Sequence, residues 1–558
     1  MKKLLKYIIP VLLPLAILGC HKLDVTPKSL YTQEVFPQTE AQFQALIGPV
    51  YTSLRGHYAL TYFFMQECST DESVLLAFGG NWYDGASYEM LHRHTWTPDH
   101  NWTTTAWNDV TGLVGTCNQT LYLLRNAPDG EAKSSSLAEV RAIRAYAYWE
   151  LMDLYGGVPL DTIYPSPGLQ ARASRVDVFN FVESELKSII PDLKTEVDAA
   201  TYGKPTRYFA YALLAKMYLN AEVYTGGSKY NECIAACDSI INSGKYAIQP
   251  RSTYLKMFYP DNGPTTQSEF IFAIPYDPST TDGYLYYGRY DLNRNLGMKY
   301  GYSGATVGSN TDPVVNQTAG NGLVNSKPSG PRATLSSFLN YFLGDTEDIR
   351  LKQWLYGPQY WEDGNPIMVA TTKQGYNQFY TGADAKDPYV YHLTIDTAIQ
   401  LRQNASLLDC GNDEIAWNQG ARNIKFYPDN NSATRNQNND VPVYRYSDIL
   451  LMKAEAILRG GSPTGGQTAL SLVNELRSNR TTAAAWTSVN LEQLYEERCR
   501  EFAWECQHRD DMIRFGKFED TYGFKTNKDT YRRIFPIPTA AITANPKLDQ
   551  NPGYVKSN

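Results

Sequence analysis

Ala210, Leu213, Leu214, Met217, Tyr218 and Ala221 fall at i, i+3, i+4, i+7, i+8 and i+11, one apolar stripe along a helix. Thr225-Gly226-Gly227-Ser228 breaks that stripe, and residues 230–242 restart a helix that ends at Gly244. Residues 203–246 therefore read as a helical hairpin of about tetratricopeptide length, a unit that buries its apolar face only by stacking on neighbours. More such pairs are required, and the sequence holds them. Residues 137–155 and 176–193 form one, broken at Gly156-Gly157-Val158-Pro159. Residues 446–458 form another, with Leu450, Ala454, Ile457 and Leu458 in register; it turns at Gly460-Gly461-Ser462-Pro463 and returns through Ala469, Leu472, Val473 and Leu476. Further helices are predicted over 39–55, 105–125 and 491–506.

Residues 247–441 break this rhythm, being rich in Gly, Tyr, Asn and Pro with few periodic runs. A stretch of that length is no mere connector, and long loops on a rigid scaffold are where binding residues concentrate. The expected division is a leader over 1–19, an N-terminal segment over 20–130 and helical repeats over 131–246. The irregular insertion over 247–441 and C-terminal repeats with a tail over 442–558 complete it.

The leader has a basic start (Lys2, Lys3, Lys6), a short apolar run interrupted by Pro10 and Pro14, and Gly19-Cys20 at its end. That is a secretory signal, too short and too broken for a membrane-spanning helix. Ile17-Leu18-Gly19-Cys20 resembles the bacterial lipobox, which makes Cys20 the lipidated first residue and outer-membrane lipid its anchor; the alternative is an ordinary signal peptide. Losing three lysines takes the net charge from −7 to −10. An acidic body without a basic patch argues against nucleic acid. Beyond Cys20, seven scattered cysteines make no disulfide framework, and Cys233 and Cys237, at i,i+4, read as helix packing.

Several segments together resemble the SusD/RagB family of outer-membrane nutrient-binding lipoproteins. Residues 138–160, ending Tyr-Gly-Gly-Val-Pro-Leu, are similar to a family helix and its turn. Residues 441–456 followed by Val473-Asn-Glu-Leu-Arg477, Glu496-Glu-Arg-Cys-Arg-Glu-Phe-Ala-Trp-Glu505, Phe535-Pro-Ile-Pro538 and Asn551-Pro-Gly-Tyr554 follow in the family's order. Cys499 and Cys506 depart from the pattern, standing where an Arg and a Gly or similar residue are expected. The resemblance implies an all-α-dominated fold, a right-handed superhelix of about four tetratricopeptide-like helix pairs with a large irregular insertion. It also implies a lipid-anchored protein of the outer membrane, facing the cell exterior. Such a protein captures oligosaccharide for a SusC-like TonB-dependent transporter. Peptide binding of the RagB type, or a helical-repeat adaptor without glycan binding, remain the alternatives.

A sugar is held by aromatic platforms against its CH faces and a few polar groups on its hydroxyls. Asn81-Trp82-Tyr83-Asp84-Gly85 has that composition in a loop, and it resembles an Asp-Trp-Tyr-Asp-Gly stretch of one branch of the family. Asp71, in Ser69-Thr-Asp-Glu72, resembles a ligand-facing segment. Tyr287, within Tyr284-Leu-Tyr-Tyr-Gly-Arg-Tyr290, and the stretch from Trp354 to Trp361 offer a second ring wall; Arg350 is a further candidate for sugar hydroxyls, set against an ion pair with Asp345 or Asp348. Catalytic elbows, phosphate loops and zinc pairs are absent as motifs, so the chain is not read as an enzyme. The adjacent pairs Glu496-Glu497 and Asp510-Asp511 read as a solvated helix face or as ion pairs, and His92 and His94 as structural. No cofactor or metal is expected; a structural calcium is not indicated.

Overall fold

The structure is a computed structural model describing residues 37–264, 268–276, 287–297, 299–300, 328–371, 389–429 and 437–555. The leader, Cys20 and Tyr284 to Tyr286 lie outside the described residues.

Helix α1 (Glu40–Gly56) starts at Thr39, whose side chain accepts from the Gln42 amide while the Gln42 side chain accepts from Thr39, a capping box. The chain then widens into a π-turn (His57–Tyr62) and continues as α2 (Phe63–Glu67). After α3 (Ser87–Arg93), two long helices, α4 (Asn101–Leu124) and α5 (Glu131–Tyr155), pack side by side. α6 (Arg175–Ile189), α7 (Arg207–Leu219) and α8 (Tyr230–Ile241) follow. After the insertion come α9 (Tyr446–Leu458), α10 (Ala469–Ser478), α11 (Leu491–Phe502) and α12 (His508–Arg514). The helix-dominated architecture expected from the stripes is present. Sequence reasoning missed α3 and α12 because each is about two turns long, too short for a stripe to repeat.

Most successive long helices pack directly, α4 on α5, α5 on α6, α7 on α8, α8 on α9 and α9 on α10, while α11 packs back on α9. The α8–α9 contact matters most, since the whole insertion lies between those helices in sequence. The chain leaves and returns through one antiparallel pair, β1 (Phe270–Ile274) and β2 (Val441–Arg445), with Val441 opposite Ile274 and Pro442 opposite Ala273. The excursion thus starts and ends on the helical stack, which closes behind it. Cys233 and Cys237 are buried, with the Cys233 thiol 4.0 Å from the Met452 carbonyl, as expected of packing residues.

α5 is buried along nearly its whole C-terminal length, so its charged side chains each need a partner. Arg144 donates to Asn118 at 2.8 Å and to Glu185 at 2.6 Å; Asp153 accepts from the Tyr224 hydroxyl at 2.9 Å. Glu150 meets Nε2 of His57, whose Nδ1 lies 3.3 Å from Asp109. Burial opposes a charge on His57, yet Glu150 and Asp109 outweigh it and raise its pKa from 6.5 to about 9. A group whose folded pKa is raised adds stability below its unfolded pKa and loses it as pH rises through the folded value. Unfolding free energy is therefore expected to fall by about 3 kcal/mol more between pH 6 and pH 9.5 in the native protein than in His57→Gln. Denaturant titrations at the two pH values check this, and parallel losses would contradict it.

At the C-terminal end the adjacent carboxylates form ion pairs in the interior, which rules out a solvated face for Glu497, Asp510 and Asp511. Asp511 accepts from Arg498 at 2.7 Å and Arg514 at 2.6 Å. Glu497 sits 2.8 Å from Arg350 and 3.0 Å from Arg477. Glu501 binds Arg350, Arg445 and Arg480 together, at 2.9–3.1 Å. His92 and His94 are buried as structural residues, His94 stacking on Phe518 at 4.4 Å.

Candidate functional site

The loop that carries Trp82 is a tight hairpin. Phe78 and Asn81 exchange backbone hydrogen bonds of 2.9 and 3.3 Å across Gly79-Gly80, whose φ angles of 62° and 83° are those of a primed turn. A Cβ on Gly79 would also lie 2.8 Å from Cβ of Asn412, so glycine is required there twice over. Trp82 (φ 67°), Asp84 (46°) and Ala86 (68°) share the left-handed region without glycine's freedom. Conformations of this kind cost about 1–3 kcal/mol each and persist only where surroundings impose them.

The buried Asp409 carboxylate holds the turn that leads into them, accepting from the backbone amides of Gly79 (2.9 Å), Gly80 (2.8 Å) and Gly411 (2.8 Å). The Ala77–Leu408 and Cys410–Ala77 backbone bonds, both 3.0 Å, clamp the same two segments. Asp409 stands 330 residues from Gly79, beyond any local sequence signal.

The result is an outward-facing group of side chains. Asn81 and Asp84 are exposed, Trp82 and Tyr83 half-buried. Asn81 donates to the Phe78 carbonyl at 3.2 Å. The Trp82 indole meets Tyr290 edge-on, centroids 5.2 Å apart, and the Arg289 guanidinium lies 5.1 Å from its ring centre. Beneath them Phe64 touches Tyr88 (5.1 Å), Trp102 (5.1 Å) and Tyr290 (5.3 Å), a wall of rings that fixes the platform. Under that wall Arg332 pairs with Asp291 at 2.5 and 2.7 Å and stacks 4.2 Å from Phe63. Burial lifts the Asp291 pKa to about 6 despite this partner.

Three other candidates lie elsewhere. Tyr287 is in the core, stacked at 4.4 Å on Phe426 with planes 6° apart; a helical turn (Tyr287–Tyr290) carries the chain outward, so Tyr290 and Arg289 hold the place expected of Tyr287. Arg350 is fully buried between Asp348, Glu497 and Glu501, which corrects its reading as a ligand residue. Asp71 is buried too: its carboxylate accepts from His508 at 2.6 Å, whose other ring nitrogen lies 3.7 Å from the Cys499 sulfur. The expected second ring wall divides likewise, Trp354 entering the core while Tyr360 stays exposed and Trp361 half-buried.

Two family models match the chain, one described as the SusD family over residues 212–554 and one as starch-binding associating with outer membrane over residues 23–219. The starch-binding protein SusD of Bacteroides thetaiotaomicron is 24% identical, the match covering 89% of this chain and 86% of the relative. SusD-like protein P38 of Formosa agariphila is 23% identical over 98% of each. Among solved structures, a laminarin-binding SusD-like protein superposes with a TM-score of 0.64 at 21% identity, covering 93% of this chain and 100% of the other. Surface glycan-binding protein A of Bacteroides thetaiotaomicron, solved with laminarihexaose, gives 0.61 at 20% identity, covering 92% and 99%. With one model matching more than half of its length and the fold shared throughout, the chain belongs to the SusD family.

Proposed function

We propose that this protein is a cell-surface glycan-binding protein, anchored in the outer membrane through acylated Cys20, that passes oligosaccharide to a SusC-like TonB-dependent transporter without cleaving it. The observation that carries the reading is the outward-facing group on the Asp409-held hairpin: a half-buried Trp82 platform buttressed by Tyr290, with the Arg289 guanidinium against its ring and the exposed Asp84 two residues on. Aromatic faces match the CH face of a sugar, and a guanidinium fork with a carboxylate matches its hydroxyls. Relatives named for binding starch and laminarin support the same ligand class.

Calorimetry of the purified protein against α-glucan, β-glucan, mannan and xylan oligosaccharides is expected to give saturable binding to at least one. Prolonged incubation should release no new reducing ends. Saturable binding of unglycosylated peptides with none of sugars, or growth of reducing ends, would contradict the reading.

A further inference from the structure

A second aromatic surface is built into the insertion by two Phe-Tyr pairs. Phe258 and Phe426 are buried and meet edge-on at 5.5 Å. The residues that follow them, Tyr259 and Tyr427, stack with centroids 4.6 Å apart and planes 27° from parallel, and both remain half-buried. The Tyr427 amide donates to the Phe258 carbonyl at 3.0 Å, so the backbones hold the inner and the outer pair in register. The phenylalanines already supply the packing. Among the described residues neither outer hydroxyl has a hydrogen-bond partner.

Polar and aromatic groups complete this surface. Tyr427 and Trp361 pack on the same small core of Leu292, Leu296 and Tyr300 with the neighbouring strands. Glu362, next to Trp361, acts electrostatically on both Lys299 and Tyr427. A stacked tyrosine pair, a tryptophan and an acid with a lysine repeat the composition of the Trp82 surface in different residues. The two surfaces are also close along the chain: Tyr290 touches Trp82, and Tyr300, ten residues on, meets Tyr427 at 5.7 Å. Ten residues span at most about 35 Å.

We propose that Tyr259, Tyr427 and Trp361 form a second carbohydrate subsite, which engages glycan chains long enough to extend beyond the Trp82 platform. The proposal rests on the carbohydrate reading of that platform. A chain held at Trp82 presents its far end to the tyrosines at high effective concentration, so a weak second contact strengthens binding of polymers and leaves short oligomers unaffected.

Affinity electrophoresis in gels containing laminarin, soluble starch, mannan or xylan, with calorimetry on the matching trisaccharides, tests this. Tyr259→Ala and Trp361→Ala, each checked for an unchanged melting temperature, are expected to weaken polymer binding at least threefold and to leave trisaccharide binding within twofold of wild type. Tyr427→Phe, which keeps the stack, should fall between wild type and Tyr259→Ala. Wild-type retardation of both alanine variants in every gel that retards the native protein would overturn the second subsite, as would equal losses on trisaccharide and polymer. If Trp82→Ala retains polymer binding and Tyr259→Ala loses it, the platform reading fails while the tyrosine surface stands as the primary site. Failure of all four polymers to retard the native protein would overturn both.

Discussion

Glu501→Gln is expected to lower the unfolding free energy by about 3–5 kcal/mol, the loss typical of removing one partner from a buried ion pair. Glu501 is fully buried and faces three arginines: Arg480 donates to both its oxygens at 2.9 Å, Arg445 to one at 2.9 Å and Arg350 to the other at 3.1 Å. Burial alone would raise its pKa, but Arg480, Arg445 and Arg350 hold it well below the ordinary carboxylate range. Glutamine keeps the shape and removes the charge, leaving three guanidinium groups to share the Glu269, Glu497, Asp348 and Glu505 carboxylates. The same network ties α11 to the root of the insertion, since Arg445 ends β2 and Arg480 follows α10. Loss of the charge should therefore loosen the junction on which the insertion is mounted. Glu496→Gln, one turn away with its side chain 40% exposed, should change stability by less than about 0.5 kcal/mol. Guanidinium titrations of both variants measure the difference; a loss below about 1 kcal/mol for Glu501→Gln would show that this cluster is not what secures the junction.

Long periodic stripes disclosed the helical stack because burial of one helix face leaves a regular mark, as in the Ala210–Ala221 series and in Leu450, Ala454 and Ile457. The Trp82 loop could be placed among the candidates because two rings and two side chains able to bond hydroxyls stand together in an aperiodic stretch that resembles a family segment. What fixes that loop could not be read, because the Asp409 clamp and the Tyr290 contact join residues far apart in sequence. Arg350 and Asp71 illustrate the opposite failure. A charged side chain in a loop-rich segment reads as solvent-facing, yet here carboxylates and histidine recruited from α11 and α12 draw both inward. Tyr287 and Tyr290 differ only by one helical turn, and which of the two faces outward depends on Phe63 and Phe426 packing on Tyr287.

Trp82→Ala is expected to weaken oligosaccharide binding at least tenfold while leaving the melting temperature nearly unchanged. Aromatic contacts contribute about 0.5–1.5 kcal/mol beyond the area they bury, and about 1.4 kcal/mol is one decade of affinity. Alanine is the right replacement, because it bears the same left-handed backbone strain as tryptophan, whereas glycine would relieve it and change two things at once. The hairpin itself should survive, for Asp409 grips its backbone amides and makes no use of the indole. Arg289 and Tyr290 lose their ring partner but stay anchored, as the Arg289 carbonyl accepts from Ser329 and Gly330 at 2.9 and 3.2 Å. The deciding measurement is calorimetric titration of native protein and Trp82→Ala, side by side, with the trisaccharide that the native protein binds. A tenfold or greater rise in Kd in a variant that melts with the native protein is the expected result; a folded variant that binds as tightly as the native protein would contradict the placement of the site at Trp82.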